Sequence, residues 1–544
     1  MSEESLTSPQ TRWIIWVGSG VLVAGLLIDQ LRALLSFGSS HTDQDQTILW
    51  YAGRELLRGR VFEPNFFGQR YDTTFEALPG ALLHIAGLPW GTALPAATTL
   101  LVTLIWVLFA ATAFRLRQPI PALLALAAPL VMCVQYVLLF DAPRGVLAGD
   151  CAAALAMAIG LAARRYQIRL FGLVAIGGLA ILWDYAAALA VVPVLVYVLC
   201  RDWPCYGRRA VQTARLVATA ALPPLAWYLF TVTWWSAHHS YLIYPAAASS
   251  LHWSVWANNF RHLSAYVSYF APALAPVAGV AVFLLAAGIV LIMVLAIRRR
   301  SLALLLANCS LVVLLLLALT STSAVEPGLY LAGSRILLPL PFAAWFLCFA
   351  TSDTAKRARI ERPPRGAAHQ RRVPPRTNQQ VIAIVVLAAI SLIVTQINFS
   401  SVANRSITPT VGVSIANPTL LSPSCAALTR VYRSTDAQLL ATNNVNDAYA
   451  CAADDGLNTL IPFFDRRGWL IQASLREPIR RILVAVPNCS YVDAAAGQCT
   501  PEAANVVLVR SHLFPAAHTL DRIKGMHVML GTWHLPTTFV YFSP

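Results

Sequence analysis

Residues 38–80 read GSSHTDQDQTILWYAGRELLRGRVFEPNFFGQRYDTTFEALPG and follow directly on the first long apolar run of the chain. Two carboxylates, Asp43 and Asp45, stand just past the end of that run. Behind them comes a stretch with helical periodicity, in which apolar residues share one stripe and charged residues lie off it. This pattern predicts acidic side chains at the mouth of a membrane core, backed by an interfacial helix. Chemistry on a lipid-anchored substrate would suit such a site.

The predicted interfacial helix has a recognisable end. Its apolar stripe consists of Ile48, Leu49, Ala52, Leu56 and Leu57. Gly59 is expected to end the helix, because glycine is the residue most often found just past a helix C-terminus. Aromatic side chains favour the lipid–water boundary, and four follow here: Phe62, Phe66, Phe67 and Tyr71.

The composition excludes an ordinary soluble enzyme. Of the 544 residues, 57% are hydrophobic and only 12% are charged, against about 25% charged in a typical soluble domain. Apolar runs near or above about 18 residues, long enough for a transmembrane helix, recur through the first 400 positions. The chain is therefore predicted to be a polytopic α-helical membrane protein.

The charge pattern indicates orientation rather than nucleic-acid binding. The net charge is +15, but the basic residues form short clusters between apolar runs, as the positive-inside rule describes. No nucleic-acid partner is expected. The strongest cluster, residues 351–380, holds eight Lys or Arg against two acids and is predicted to be cytoplasmic.

Eleven spans are predicted, at residues 13–35, 93–114, 120–140, 145–163, 170–183, 185–200, 211–235, 273–297, 302–319, 336–350 and 381–399. The apolar segment 76–89 would be roughly 21 Å long as a helix, too short for a core of about 30 Å. It is predicted to be a second interfacial helix. The odd count places the N-terminus in the cytoplasm and everything after residue 399 outside. The expected location is the plasma membrane of a bacterium, the inner membrane where there are two.

Two domains follow from this division: a transmembrane domain at 1–399 and an exported α/β domain at 400–544. The tail has short alternating stretches, such as 481–486 and 505–510, that are typical of strands. An even number of cysteines in an exported domain predicts disulfides. Cys489–Cys499 is the pairing favoured by proximity, which leaves Cys425–Cys451, although four cysteines permit three connectivities.

The predicted outer face collects several acids, and an ionisable group at a membrane mouth is costly unless it is paired or functional. Asp45 is the leading candidate and Asp141 the second. Asp43 could instead cap the following helix, and Asp184 could be an ordinary interfacial residue. A span beginning after Asp141 would be about 33 Å long, so Asp150 is expected a couple of turns inside it.

Three segments together resemble the GT-C superfamily of membrane glycosyltransferases. Residues 45–59, DQTILWYAGRELLRG, are similar to its first outer loop, in which an acid is followed six positions later by an aromatic residue and Ala. Residues 141–143, DAP, are similar to a second-loop Asp-x-Pro. Residues 333–341, GSRILLPLP, are similar to a Gly-x-Arg-Tyr-x-x-Pro signature. By layout, bacterial aminoarabinose transferases and protein O-mannosyltransferases are the nearest relatives.

The chain departs from that pattern at two places. Related enzymes often have Lys-Pro-Pro or His-Pro-Pro where this chain has Ala77, Leu78 and Pro79, and that basic residue is associated with the donor phosphate. Ile336 replaces the usual Tyr. Another cation is therefore expected to neutralise the leaving group.

The resemblance implies transfer of a sugar from a polyprenyl-phosphate donor, with inversion at the anomeric carbon. Such transfer needs a base for the acceptor hydroxyl and positive charge for the departing phosphate. Asp45 is the expected base, with Asp141 orienting the acceptor or holding a divalent cation and Asp43 as a third candidate. Arginine binds phosphate through paired hydrogen bonds. The expected phosphate contacts are Arg335 first, then Arg58, Arg70 and Arg261.

Several points stay open at this stage. Metal dependence varies among the enzymes that the chain resembles, so a divalent cation is neither required nor excluded, and no other cofactor is expected. The acceptor could be a lipid, a glycan or a protein. A transporter or flippase of lipid-linked sugars would explain the spans but not the paired interfacial helices or the exported domain. A non-catalytic envelope-assembly subunit would use the tail as a binding module.

Overall fold

The computed structural model of the chain describes residues 9–35, 73–88, 90–131, 145–237, 252–268, 280–320, 338–361 and 379–393. Between 36 and 72 it describes only 41–42, 49, 52–53, 56–57 and 59, and after 393 only short strands. Most of the predicted site residues lie outside these ranges: Asp43, Asp45, Asp141, Arg58, Arg70, Arg335 and the four tail cysteines Cys425, Cys451, Cys489 and Cys499.

Helices make up nearly all of the described chain before residue 394. They are α1 Pro9–Ala33, α2 Ala77–Ile85, α3 Trp90–Arg115, α4 Pro119–Val131, α5 Leu147–Ala162, α6 Tyr166–Trp183, α7 Ala188–Arg201, α8 Trp203–Gly207, α9 Ala210–Ala237, α10 Trp253–Ser268, α11 Val280–Arg298, α12 Leu302–Ala318, α13 Leu340–Glu361 and α14 Gln379–Ile393. A 3₁₀ turn, Tyr185–Ala187, leads into α7.

Four helical segments are long and apolar enough to cross a membrane: Arg12–Ala33, Thr92–Arg115, Tyr166–Trp183 and Ala210–Thr233. Six shorter apolar helices accompany them, among them α5, α7 and α12. Large apolar side chains also point away from the protein, with Trp16 76% and Phe283 70% exposed. The chain is therefore a membrane-embedded helical protein, as predicted. The count of eleven transmembrane spans remains a prediction from the sequence.

Aromatic side chains form the centre of the core between α3 and α13. The rings of Phe109 and Trp345 stack with centroids 4.3 Å apart, and Phe342 meets Phe109 edge-on at 5.4 Å. The indole N–H of Trp345 donates to the Pro121 carbonyl over 2.9 Å, so the one polar atom of this ring is satisfied inside the core. This cluster joins α3, α4 and α13 across more than two hundred residues of sequence.

Small residues let α5 and α6 approach closely, as they do in many membrane proteins. A Cβ at Gly160 would lie 2.7 Å from the Leu173 side chain, and one at Gly172 would lie 2.5 Å from that of Ile159. Gly160 thus leaves room for Leu173, the residue after Gly172, and Gly172 leaves room for Ile159, the residue before Gly160. Helix α7 also packs against α5 and α6, and α9 packs against α6.

Three predictions from the sequence were wrong: the depth of Asp150 in its helix, the end of the helix that begins at Leu340, and the assignment of residues 238–269 to a loop. Helix α5 begins at Leu147, so Asp150 lies in its first turn rather than a couple of turns inside. The positive φ of 82° at Gly145 interrupts helical geometry there. Helix α13 continues to Glu361, into the segment expected to be a loop. A helix, α10, occupies part of the predicted outer loop between residues 238 and 269.

The predicted first outer loop agrees with its prediction at Leu49, Ala52 and Gly59, whereas Leu57, predicted on the same apolar stripe, differs from them in burial. Leu49 is fully buried and Ala52 is 5% exposed, whereas Leu57 is 41% exposed. The amide of Gly59 donates to the Leu56 carbonyl over 3.0 Å, with φ of 73°. That conformation favours glycine, and it ends the helical stripe at the expected residue.

Strands account for the described part of the tail. After β1, His41–Thr42, which lies in the predicted first outer loop, they are β2 Val413–Ser414, β3 Leu439–Leu440, β4 Leu470–Ala473, β5 Ile482–Ala485, β6 Val507–Arg510, β7 His527–Thr532 and β8 Thr538–Ser543. One sheet has the order β3-β6-β8-β7, parallel between β3 and β6 and otherwise antiparallel; β4 and β5 form a separate antiparallel pair. The strands predicted at 481–486 and 505–510 are present, and the α/β class of the domain stays a prediction.

Candidate functional site

A buried carboxylate, Glu76, connects the segment that precedes α2, in the predicted first outer loop, with the segment that precedes α5, in the predicted second outer loop. Its Oε2 accepts hydrogen bonds from the amides of Gly145, at 2.9 Å, and Leu147, at 3.4 Å. Its Oε1 accepts from the Thr98 hydroxyl at 3.1 Å. Glu76 is 1% exposed and Thr98 is fully buried. The carboxylate therefore holds the start of α2, the first third of α3 and the start of α5 at one point.

The segment entering α5 is fixed from a second direction. The amide of Thr73 donates to the Gly145 carbonyl over 3.2 Å. Gly145 is thus bound through both its amide and its carbonyl to residues 73–76 of the first outer loop. Asp141 stands four residues before Gly145 in the sequence. The exit of the loop that carries Asp141 is consequently anchored to the exit of the loop that carries Asp43 and Asp45.

Two further carboxylates occur at the same end of the helices. Asp150 is fully buried in the first turn of α5, a place that favours negative charge because of the helix dipole. The Asp184 Oδ1 accepts from the Ala186 amide over 2.9 Å and starts the 3₁₀ turn before α7. A Cβ on Gly149 would lie only 2.6 Å from the Asp184 Cβ. Asp184 therefore has a structural role in the turn between α6 and α7.

Aromatic rings flank this group of carboxylates. Phe75 lies 5.2 Å from Trp183 and 5.4 Å from Trp227, measured between ring centroids. Trp183 and Trp227 are 6.0 Å apart. The cluster attaches α6 and α9 to the residue directly before Glu76, so the loop junction is braced by packing as well as by hydrogen bonds.

Of the predicted site residues, Arg261 is the one that the described structure places. It lies on α10, and its side chain is exposed. Helix α10 is held by Asn259, whose side-chain amide donates to the Leu319 carbonyl at the end of α12 over 2.7 Å. The rings of Trp253, Trp256 and Phe260 stack in series with centroids 4.9 and 5.3 Å apart. Helix α10 thus has the features of an interfacial helix.

Glu76 was missed when the sequence was read alone. It appeared only as the first residue of a short apolar segment, because its partners Gly145 and Leu147 are backbone groups about seventy positions away. A signal was available: a single acid begins a segment otherwise apolar as far as Pro79. Such an acid needs buried donors if it is to lie inside the protein.

A metal site is not assembled within the ranges that the structure describes, since no three His, Cys, Asp or Glu residues there are grouped to hold an ion. The residues expected to serve a cation, Asp141 above all, lie outside those ranges. The role of a divalent cation therefore stays a prediction.

The whole fold can be compared with solved membrane proteins. The chain is similar to ArnT from Cupriavidus metallidurans, solved bound to undecaprenyl phosphate and in the apo state. The alignments cover 97% of this chain and 98% of the other, with a TM-score of 0.51 and 13% or 12% sequence identity. The chain has an ArnT-like fold.

This result confirms the resemblance inferred from the outer-loop motifs. It extends over nearly the whole of both chains, whereas the motifs covered about the first 350 residues. No family model and no curated protein matches the sequence itself. At this level of identity the agreement concerns the fold alone.

Proposed function

We propose that the chain transfers a sugar from a polyprenyl-phosphate donor to an acceptor in the bacterial envelope, at the outer face of the membrane. The observation that carries this proposal is the ArnT-like fold along almost the entire chain, because one of those structures holds undecaprenyl phosphate. The donor class is assigned here by that likeness. The acceptor is a lipid, a glycan or a protein.

The anchoring of the two outer loops supports a shared site for their acids. Glu76 and Thr73 bind both polar backbone groups of Gly145. Asp45 and Asp141 belong to the two loops whose exits meet there. One base and one orienting group on separate loops need such a connection, since catalytic groups must be held to within fractions of an ångström.

In the proposed reaction, the Asp45 carboxylate takes the proton of the acceptor hydroxyl. The acceptor oxygen forms a bond to the anomeric carbon as the bond from that carbon to the phosphate oxygen breaks. The transition state has oxocarbenium character, as in glycoside hydrolysis, and the configuration at the anomeric carbon inverts. The released polyprenyl phosphate carries the negative charge away.

Positive charge is needed where the phosphate departs. Arg335 is the proposed first contact because a guanidinium can pair with two phosphate oxygens. Arg58, Arg70 and Arg261 are further candidates, and the exposed position of Arg261 on α10 leaves its side chain accessible to a lipid headgroup. A divalent cation held with the help of Asp141 would supply charge at the same place.

The decisive experiment compares Asp45→Asn with Asp43→Asn in a transfer assay that uses a purified polyprenyl-phosphate sugar. Asp45→Asn keeps the shape of the side chain and removes its basicity, so the rate should fall by about 10²–10⁴-fold. Asp43→Asn should retain most of the rate if that residue caps a helix. Near-normal transfer by Asp45→Asn at normal expression would remove the base from this residue. A protein that moves the lipid-linked sugar across the bilayer without forming product would instead be a transporter.

A further inference from the structure

A cavity of about 750 Å³ lies at the end of α5 opposite to the contact between Glu76 and Gly145. It is formed where α5 ends, α6 begins and α7 turns into α8. Three arginines line it, Arg164, Arg165 and Arg169, and Asp202 is the one acid among its described lining residues. The cavity therefore carries a net positive charge, and nothing in the proposed sugar transfer uses it.

The one carboxylate among the described lining residues already has arginine partners. Asp202 accepts from Arg169 Nη1 at 2.7 Å and from Arg201 Nε and Nη2 at 2.9 and 3.1 Å. Burial alone would raise the pKa of Asp202, but the hydrogen bond and charge of Arg201, together with Arg169, hold its pKa below the ordinary value. Asp202 is thus ionised at neutral pH and shared by two guanidinium groups.

The arginines fall into two classes. Arg169 is fixed, because Nε also donates to the Ala163 carbonyl at 2.7 Å and Nη2 to the Arg164 carbonyl at 3.4 Å. Arg164 and Arg165 are exposed, and within the described residues neither guanidinium has an ion-pair partner. Two exposed guanidinium groups beside one that is fixed by hydrogen bonds can contact a phosphate, which Arg binds with paired, charge-assisted hydrogen bonds.

The surroundings of the cavity favour a lipid over a soluble phosphate. Ile168, in its lining, is 50% exposed, and Trp203 and Val211 close by in the sequence are 65% and 68% exposed. Tryptophan at a helix end is typical of the headgroup level of a membrane. Basic pockets between helices at such a level bind anionic headgroups. We infer that this cavity binds the phosphodiester headgroup of an anionic phospholipid in the leaflet at the basic end of the helices.

Cys205 gives a local readout, since it lines the cavity and its side chain is exposed. In the full-length protein in neutral detergent, short-chain phosphatidylglycerol should slow alkylation of Cys205 by an uncharged maleimide, as followed by peptide mass spectrometry. Phosphatidylcholine with the same acyl chains should not slow the alkylation. Inorganic phosphate, tested separately, should not slow it either. The variant R164Q/R165Q should need about thirtyfold more phosphatidylglycerol for half-protection, given the usual contribution of each arginine near an anionic lipid.

The matched control is R115Q/R298Q, which removes two exposed arginines from the ends of α3 and α11, outside the cavity lining. It should be protected like the wild type. Equal protection by phosphatidylcholine, or undiminished protection of R164Q/R165Q, would overturn the proposal. Protection by inorganic phosphate at millimolar concentration would show that the cavity takes soluble phosphate, and would overturn the lipid assignment. The wild-type comparison of lipids decides the question even if R164Q/R165Q fails to fold.

Discussion

At the scale of single residues, Glu76 is the described side chain that connects the two predicted outer loops. Its carboxylate is 1% exposed and accepts three hydrogen bonds. Hydrogen bonds to an ionised acceptor are stronger than those between neutral groups. Two of its donors are amides at the end of the Asp141 loop, so the charge of one side chain positions the backbone of another loop.

Glu76→Ala should lower the free energy of unfolding by about 1–3 kcal/mol, because buried donors lose their acceptor. It should also reduce sugar transfer per folded molecule, since the two loops lose their connection. Glu76→Gln should do less, because its amide can accept from Gly145 and donate to the Thr98 hydroxyl. The measurements are unfolding in detergent and the transfer assay.

Asp353→Ala is the control for the loss of a carboxylate elsewhere. Asp353 lies on α13, away from the predicted outer loops. Its carboxylate accepts a hydrogen bond from the Tyr197 hydroxyl over 2.8 Å. This variant should be less stable yet transfer sugar normally per folded molecule. Wild-type transfer by Glu76→Ala would mean that the loop connection does not matter for the reaction.

Gly149→Ala should destabilise the protein by about 1–3 kcal/mol, the usual cost of overpacking. The new Cβ would lie 2.6 Å from the Asp184 Cβ and 3.0 Å from the Asp184 amide nitrogen, so α5 would have to move from the α6–α7 turn. Gly288→Ala is the matched control, because nothing lies within 4 Å of its added Cβ. A thermal melt that shows equal midpoints for the two variants would contradict the close approach.

The sequence predicted some residues of the site region well and others poorly, for a physical reason. Gly59 was predicted correctly because its role is local: a positive φ at a helix end favours glycine. Glu76 and Asp150 were not, because burial and partners depend on segments distant in sequence. The positions of Asp45, Asp141 and Arg335 stay predictions from the outer-loop motifs.

At the scale of elements, helix α10 is the main addition to what the sequence indicated. Aromatic residues at positions 253, 256 and 260 recur with helical spacing, and their rings stack on one another. The many aromatic and His residues from 238 to 269 predict a loop by composition, whereas the spacing of these three aromatic residues is helical. In contrast, long apolar runs such as α3 and α12 were predicted to within a few residues, since apolar length alone defines them.

Asn259→Ala should loosen α10 from the end of α12. The substitution removes the donor to the Leu319 carbonyl, at a cost of about 1–3 kcal/mol for a buried group left without its partner. Asn258→Ala is the control at the neighbouring position, where the side chain is half-buried. Both variants can be compared by thermal unfolding followed by tryptophan fluorescence. An equal loss of stability would show that the Asn259 contact is not what holds α10.

At the scale of the whole molecule, the two ends of the helices have different chemistry. One end holds buried acids, among them Glu76, Asp150 and Asp184. The other holds arginines whose contacts link neighbouring helices: Arg169 with Asp202, and Arg299 with the carbonyl of Thr351. This division follows the clusters that the sequence assigned to the cytoplasm, and the orientation in the membrane stays a prediction from the positive-inside rule.

The tail and the first outer loop should lie on the same side of the membrane. Strand β1, His41–Thr42, pairs antiparallel with β2, and His41 faces Ser414 across the pair. Facing residues of antiparallel strands have Cα atoms about 4.5–5.5 Å apart, within the range of a disulfide. The double variant His41→Cys/Ser414→Cys should therefore form a cross-link, detected by peptide mass spectrometry without reductant.

The control pair is His41→Cys/Ser543→Cys, because Ser543 faces His527 in a different sheet. This pair should stay largely unlinked under the same conditions. Equal cross-linking of both pairs would indicate random collision, and its absence from both would separate the tail from the first loop.

In the contact that joins the two predicted outer loops, Glu76 binds backbone groups of the second loop rather than its side chains. Glu76 binds the amides of Gly145 and Leu147, and every residue type except proline supplies such an amide. Apart from Gly145, which needs its positive φ of 82°, the position bound here, Leu147, can therefore change its side chain without loss of this contact. The sequence before α5 could thus change in the course of evolution while this backbone contact keeps the two segments together.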